Sequence, residues 1–264
     1  ALHCAVTESA DFSPAEFETA KNARLLYLQA TAGEPFHTTY RLFRQNLYGN
    51  HPYARTIEGR ARSIHSISDQ EVRKFYSDWY RPNNAVIAVS GNVTFNHARA
   101  VIEKRFADWT RADMRARRRD FDSPVLKSSI VGATEGPSSR AHLVIGFPAP
   151  SVHDRAGFAA FQVINSLLNR ETSGRLVKSL RERRGLAYEI SPNYPAVEGP
   201  SHLAVYVACD WYEVEEVKNL VLEEFNRLLT EPVSDSELAS AKRYLLGRYA
   251  ISLQRNRQQA YNLA

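Results

Sequence analysis

Cysteine is nearly missing from this chain: there are two in 264 residues, Cys4 and Cys209. Two are too few for a disulfide framework and have no C-x-x-C spacing, and both read as small apolar residues of a core. Long apolar runs are missing too. Those present, such as residues 85–89, fall far short of the ~20 residues that span a bilayer, so no membrane span is expected. No basic stretch leading into an apolar segment opens the chain, and no signal peptide is legible. There is no G-x-G-x-x-G, Walker A loop, G-x-S-x-G elbow or EF-hand loop, which removes the common nucleotide, serine-hydrolase and calcium readings. The eight histidines form neither H-E-x-x-H nor H-x-x-E-H, and no two stand four apart to share a helical face. His51, followed by Pro52 and Tyr53, reads as a residue that structures a loop.

Charge is close to balanced, with 34 Lys and Arg against 29 Asp and Glu, a surplus of +5. It is diffuse except at residues 111–119, RADMRARRR. No nucleic-acid module and no aromatics at stacking spacing accompany that run, so it reads as a solvated linker and no nucleic-acid partner is expected.

What the chain has is the balance of a globular protein, 44% hydrophobic and 24% charged residues. It also has an internal repeat. Ser13, Glu16, Phe17, Ala20 and Lys21 recur as Ser234, Glu237, Leu238, Ala241 and Lys242, every pair 221 positions apart, and Leu25 and Leu246 keep the register. Both copies open with Ser-x-x-Glu, the pattern of a capping box, which also occurs at Ser68 and Glu71. Two related domains follow from this reading: residues 1–110 as the back part of a first repeat, 111–138 as a basic linker, and 139–264 as the front part of a second. Roughly 80 residues matching 140–221 are then expected ahead of Ala1. Incomplete sheets in such a fragment are expected to expose edges and apolar faces.

Periodicity predicts helices at 13–31, 35–48, 68–80 and 95–109, and a buried strand at 84–93. Beyond the linker it predicts strands at 141–148, 186–195 and 202–209 and helices at 154–168, 173–184, 212–230 and 234–254. The fold class is α+β: a duplicated domain with an antiparallel or mixed sheet covered by helices on one face.

One turn can carry chemistry. In LRERRGLAY an Arg-rich helix ends at Gly185, a fitting C-cap, and a strand begins at Leu186. Arg181 in the last helical turn and Tyr188 on the strand can face one cleft, the guanidinium binding a carbonyl and the phenol donating to a developing oxyanion. A helix-terminal Arg favoured by the dipole and a Tyr packed on a sheet explain the same pattern, and spacing alone favours that second reading. Tyr194 reads either as a cleft-lining residue or as an edge-strand packing residue. The strand at 201–208 offers an edge to which an extended peptide could add, or is simply paired.

The run from Ser173, SGRLVKSLRERRGLAY, resembles the second domain of the pitrilysin/insulinase-type metallopeptidases, the group that includes mitochondrial processing peptidase and bacterial two-subunit enzymes. HPYARTIEG at 51–59, FYSDWYRPNNAVIAVSGNV at 75–93 and SDSELASAKRYL at 234–245 resemble the same family in the same order. The resemblance implies a clamshell half built from a duplicated domain. It implies a zinc motif upstream of residue 1, and a further glutamate ligand in the helix at 17–29. The chain has no acidic residue at 24–29, so it resembles the zinc-free subunit of a two-subunit enzyme. By the same resemblance Arg181 and Tyr188 are the catalytic and substrate-binding pair, with Tyr194 as a further substrate contact. No metal or other cofactor is expected in this chain; zinc is expected in a homologous partner subunit of a heterodimer, or in the upstream segment. The expected function is binding of extended or unfolded peptides and stabilisation of the transition state beside that partner. Two alternatives remain open: a non-catalytic assembly subunit of the same fold, and part of a self-sufficient zinc endopeptidase. A periplasmic setting follows from the resemblance alone.

Overall fold

The structure, a computed structural model, describes residues 12–112, 126, 128–135, 139–169 and 174–264. Cys4 and most of the Arg-rich linker lie outside the described residues, as does Ser173, the first residue of a predicted helix. In chain order the first elements are α1 (Pro14–Thr31), α2 (Pro35–Tyr48), α3 (Ala61–Ser66), α4 (Asp69–Trp79) and α5 (Phe95–Arg105). Then come β1 (Arg140–Ala149), α6 (Arg155–Leu168), a π-helical turn (Val177–Glu182), β2 (Ala187–Asn193) and β3 (Ser201–Asp210). The last are α7 (Val214–Thr230), α8 (Asp235–Ser252) and α9 (Asn256–Leu263).

These elements pack as two compact units. One takes in residues up to 28, 59–119 and 248–264; the other takes in 29–58 and 120–247.

The first unit is helical. Ser68 caps α4 through its hydroxyl and Glu71 returns a carboxylate oxygen to the Ser68 N–H at 2.8 Å, the reciprocal box its sequence predicts. Lys21 of α1 donates to the Ile67 carbonyl at 3.0 Å, and Trp109 donates through its indole to the Tyr80 carbonyl at 3.2 Å. The strand predicted at 84–93 is not formed. The segment has no ladder partner among the described residues, and a strand exists only where a neighbour takes its N–H and C=O groups. Its apolar side chains are accordingly exposed, Val86 to 74%. Ile64 is the one buried hydrophobic residue of this unit among those described.

The second unit holds the core. Its sheet is antiparallel, in the order β1-β3-β2, so β3 runs down the middle. That corrects the expectation of a free edge at 201–208: both flanks of β3 are already hydrogen-bonded. Burial on both faces explains the near-continuous apolar sequence HLAVYVAC.

On one face Leu203, Val205, Val207 and Cys209 meet Leu168 of α6, Leu176 and Leu180 around the π-turn, and Val217 and Val221 of α7. Each such side chain withdrawn from water contributes about 1.5–3 kcal/mol. On the other face lies α2, whose Phe36 ring sits edge-on to Tyr206 at 4.9 Å between centroids. The α+β class holds, with helices on this second face as well. Gly146 of β1 allows α2 its approach: a Cβ there would stand 2.8 Å from Phe43 Cζ and 2.7 Å from the Leu203 carbonyl oxygen.

The two outer capping boxes are only half built. Ser234 accepts from the Glu237 N–H at 3.3 Å, but the Glu237 carboxylate turns away from its own helix end. Both of its oxygens accept from Arg175, each at 2.7 Å. A charge-assisted fork wins over a return bond to a backbone amide. Ser13 likewise accepts from Glu16 N–H, at 3.3 Å.

Candidate functional site

Arg181 and Tyr188 flank a turn made of two local irregularities. The helix leading into it widens to π geometry over Val177–Glu182, with the Arg183 N–H bonded to the Lys178 carbonyl. The turn closes at Gly185, whose φ of 69° lies in the left-handed region where a side chain is strained. Gly185 N–H bonds the Arg181 carbonyl at 2.9 Å, and Leu186 N–H reaches the Leu180 carbonyl at 2.8 Å.

The second irregularity is a β-bulge. Ala187 pairs with Cys209 and Glu189 with Ala208, so Tyr188 is an extra residue with no opposite number on β3. A bulge of this kind re-aims a side chain. Ala187 is buried and Tyr188 is half exposed, at 50%.

Across the turn Arg181 reaches the strand. Its Nη2 donates to the Tyr188 carbonyl at 2.7 Å and its Nε to the Ala187 carbonyl at 3.3 Å. These bonds use two of the five N–H groups of a guanidinium. The charged group is thus tied to the backbone that carries the phenol.

The Tyr188 hydroxyl donates to Asp210 Oδ2 at 3.1 Å, and Tyr212 donates to the same oxygen at 3.1 Å. Arg140 stacks its guanidinium over the Tyr188 ring, 3.9 Å from the centroid. The hydrogen bond to Asp210, then its negative charge, hold the Tyr188 phenol above its ordinary pKa; Glu213 adds to the effect and Arg140 opposes it. Both phenols therefore keep their protons at neutral pH and remain donors.

Arg140, Asp210 and Tyr212 were not legible as site residues. Arg140 and Asp210 are register partners across β1 and β3, 70 positions apart in the chain, and only strand pairing brings them together. The sole local signal was the polar-aromatic run Asp210-Trp211-Tyr212 at a strand end, with Trp211 72% exposed.

Tyr194 lies in the core. It is 5% exposed, donates to the Pro150 carbonyl at 2.6 Å and packs against Phe158 and Phe161. His51 accepts from Tyr53 N–H at 3.1 Å and caps a short 3₁₀ turn, as its sequence context predicts.

Among the described residues no group of three or more His, Cys, Asp or Glu is placed to hold a metal ion, and α1 brings no carboxylate at 24–29. The described residues do not fit zinc. No helix among the described residues is long and apolar enough to cross a membrane.

The peptidase M16 inactive domain matches residues 66–245, more than half of the chain and the whole turn with Arg181 and Tyr188. The chain belongs to the peptidase M16 inactive-domain family. An uncharacterized zinc protease of Streptomyces coelicolor is 25% identical over 243 residues, 90% of this chain and 53% of that protein. A probable inactive metalloprotease of Bacillus subtilis, YmfF, is 21% identical over 198 residues, 75% of this chain and 46% of that one. The crystal structure of a peptidase M16 inactive domain from Pseudomonas fluorescens superposes with a TM-score of 0.86 at 25% identity, covering 100% of this chain and 64% of that one. The chain spans about half the length of the curated relatives it matches. As an M16 inactive-domain chain it is related to metallopeptidases, and its sheet and helices are those of that domain.

Proposed function

We propose that this M16 chain supplies Arg181 and Tyr188 to peptide-bond hydrolysis, acting with a homologous zinc-bearing subunit. The observation that supports it is the pairing of a π-turn and a bulge about Gly185, which ties the Arg181 guanidinium to the strand that presents the Tyr188 phenol. The two side chains offer N–H and O–H donors at one end of a sheet. Such donors bind the carbonyl of an extended peptide and then meet the charge that grows on its oxygen. Tyr188 keeps its proton for that purpose. The metal belongs, in this reading, to the partner, because the described residues here do not fit it. The substrate is an unfolded or extended segment.

The test is hydrolysis of an unfolded peptide by the full-length protein alone and mixed with homologous zinc-bearing subunits, with bound zinc quantified. Arg181→Ala and Tyr188→Phe accompany it. Activity confined to a mixture, and lowered ~100-fold or more by either variant, is the expected result. Activity of the isolated protein with stoichiometric zinc, or variants as active as the parent, would overturn the reading. If no pairing is active, the assembly-subunit alternative takes its place.

A further inference from the structure

We infer that Asp210 is the positioning residue of this site, holding the Tyr188 hydroxyl at one location beside the turn while Tyr212 shares the same carboxylate oxygen. The inference rests on the proposed role of Tyr188. Three elements converge on the phenol. From β3, Asp210 Oδ2 accepts its proton at 3.1 Å. From β1, the Arg140 guanidinium covers its ring at 3.9 Å. From the segment after β3, Tyr212 donates to the same Oδ2 at 3.1 Å, and Glu213 adds negative charge.

The Tyr188 phenol is half exposed, and its bulged position gives it no register partner on β3. Its orientation must therefore come from the ring contact and the carboxylate. The shared acceptor has a second effect. When a substrate oxygen takes the Tyr188 proton, Asp210 still accepts from Tyr212 and is not left bare, so handing the donor over costs little. Asp210 touches no substrate in this scheme; it acts through Tyr188.

Two readouts separate this inference from the reading beneath it. The first needs no activity: tyrosine labelled with carbon-13 at Cζ in the full-length protein, with the Tyr188 signal assigned by its loss in Tyr188→Phe. Asp210→Asn removes the charge and keeps an acceptor, and the Tyr188 signal is expected to titrate at lower pH. An unmoved titration overturns the inference. The second is the hydrolysis assay in the mixture. Asp210→Ala is expected to lower kcat roughly ten-fold with KM little changed, and Asp210→Asn to restore most of it, because orientation rather than charge is being supplied. Asp210→Ala as active as the parent, while Tyr188→Phe is inactive, also overturns it. If Tyr188→Phe is itself fully active, the proposed function fails, and the titration alone decides where Asp210 holds the phenol.

Discussion

The imidazole Nδ1 of His202 lies 2.7 Å from the phenolic oxygen of Tyr48. Tyr48 has one proton, and the Pro200 carbonyl stands 3.0 Å away to receive it, so Tyr48 accepts from His202. Nε2 must then accept, and Tyr40 donates to it at 2.5 Å while itself accepting from Asn193 at 2.8 Å. One proton order satisfies the chain: Asn193 to Tyr40 to His202 to Tyr48 to Pro200. It requires a neutral ring, and it fastens α2 to the middle strand of the sheet.

Protonating His202 breaks that order, since Nε2–H would face a hydroxyl already turned toward it. Burial, with the charge of Arg44 behind it, pushes the ring down to about 4. The unfolded chain then binds the proton first. Stability is full above about pH 6.5 and falls as pH drops from there toward about 4, by roughly 3 kcal/mol in all. His51 and His142, also lowered, slope the same way. Urea midpoints of the full-length protein across this range are expected to lose most of their slope in His202→Gln.

Arg175 and Glu237 join the π-turn region to the start of α8 through two bonds of 2.7 Å, their side chains 13% and 33% exposed. Glu237 is held below the usual carboxylate range, first by the Arg175 bond. Its contribution is present above pH ~4.5 and lost as pH falls through its folded value. Arg175→Met or Glu237→Gln is expected to cost about 2 kcal/mol in denaturant unfolding, with about 1 kcal/mol of coupling in the double-mutant cycle. Additive costs would mean the pair does not interact.

Two glycines are expected to fail for different reasons. Gly185→Ala meets no atom within 4 Å but must hold a φ of 69°, costing about 1 kcal/mol. Gly146→Ala collides with Phe43 and the Leu203 carbonyl, costing about 1–3 kcal/mol and prying α2 from the sheet. Thermal midpoints give both totals. Near-ultraviolet circular dichroism, which sees the packed rings of α2, should change in the second variant and stay constant in the first.

Cys209 is fully buried in β3, and burial pushes its thiol up to about 11. In a Cys4→Ser background, a thiol reagent at neutral pH is expected to label it no faster than the sheet opens. Labelling at the rate of a free thiol would place β3 at the surface.

Much of the fold was legible because its signals are local. Capping and termination residues predicted helices at 35–48 and 68–80, where the structure has α2 at 35–48 and α4 at 69–79, and the apolar run of 203–209 marked a strand without showing that both of its flanks are paired. The segment at 84–93 has the same apolar character and no strand, because composition describes a side chain's preference while a ladder needs a second chain segment. Glu237 shows the same limit: its spacing from Ser234 is that of a capping box, and only packing reveals an arginine that competes for it.

The sequence by itself determined the family resemblance, from which Arg181 and Tyr188 follow as candidates, the α+β class, and the lack of a carboxylate at 24–29. These are properties of residue type and short spacing. Only the tertiary structure decided that β3 is a central strand, that Tyr194 belongs to the core, and that Asp210, Arg140 and Tyr212 surround the Tyr188 phenol. Those depend on strand register and on a bulge of one residue, and a single-residue slip would point each side chain to the other face.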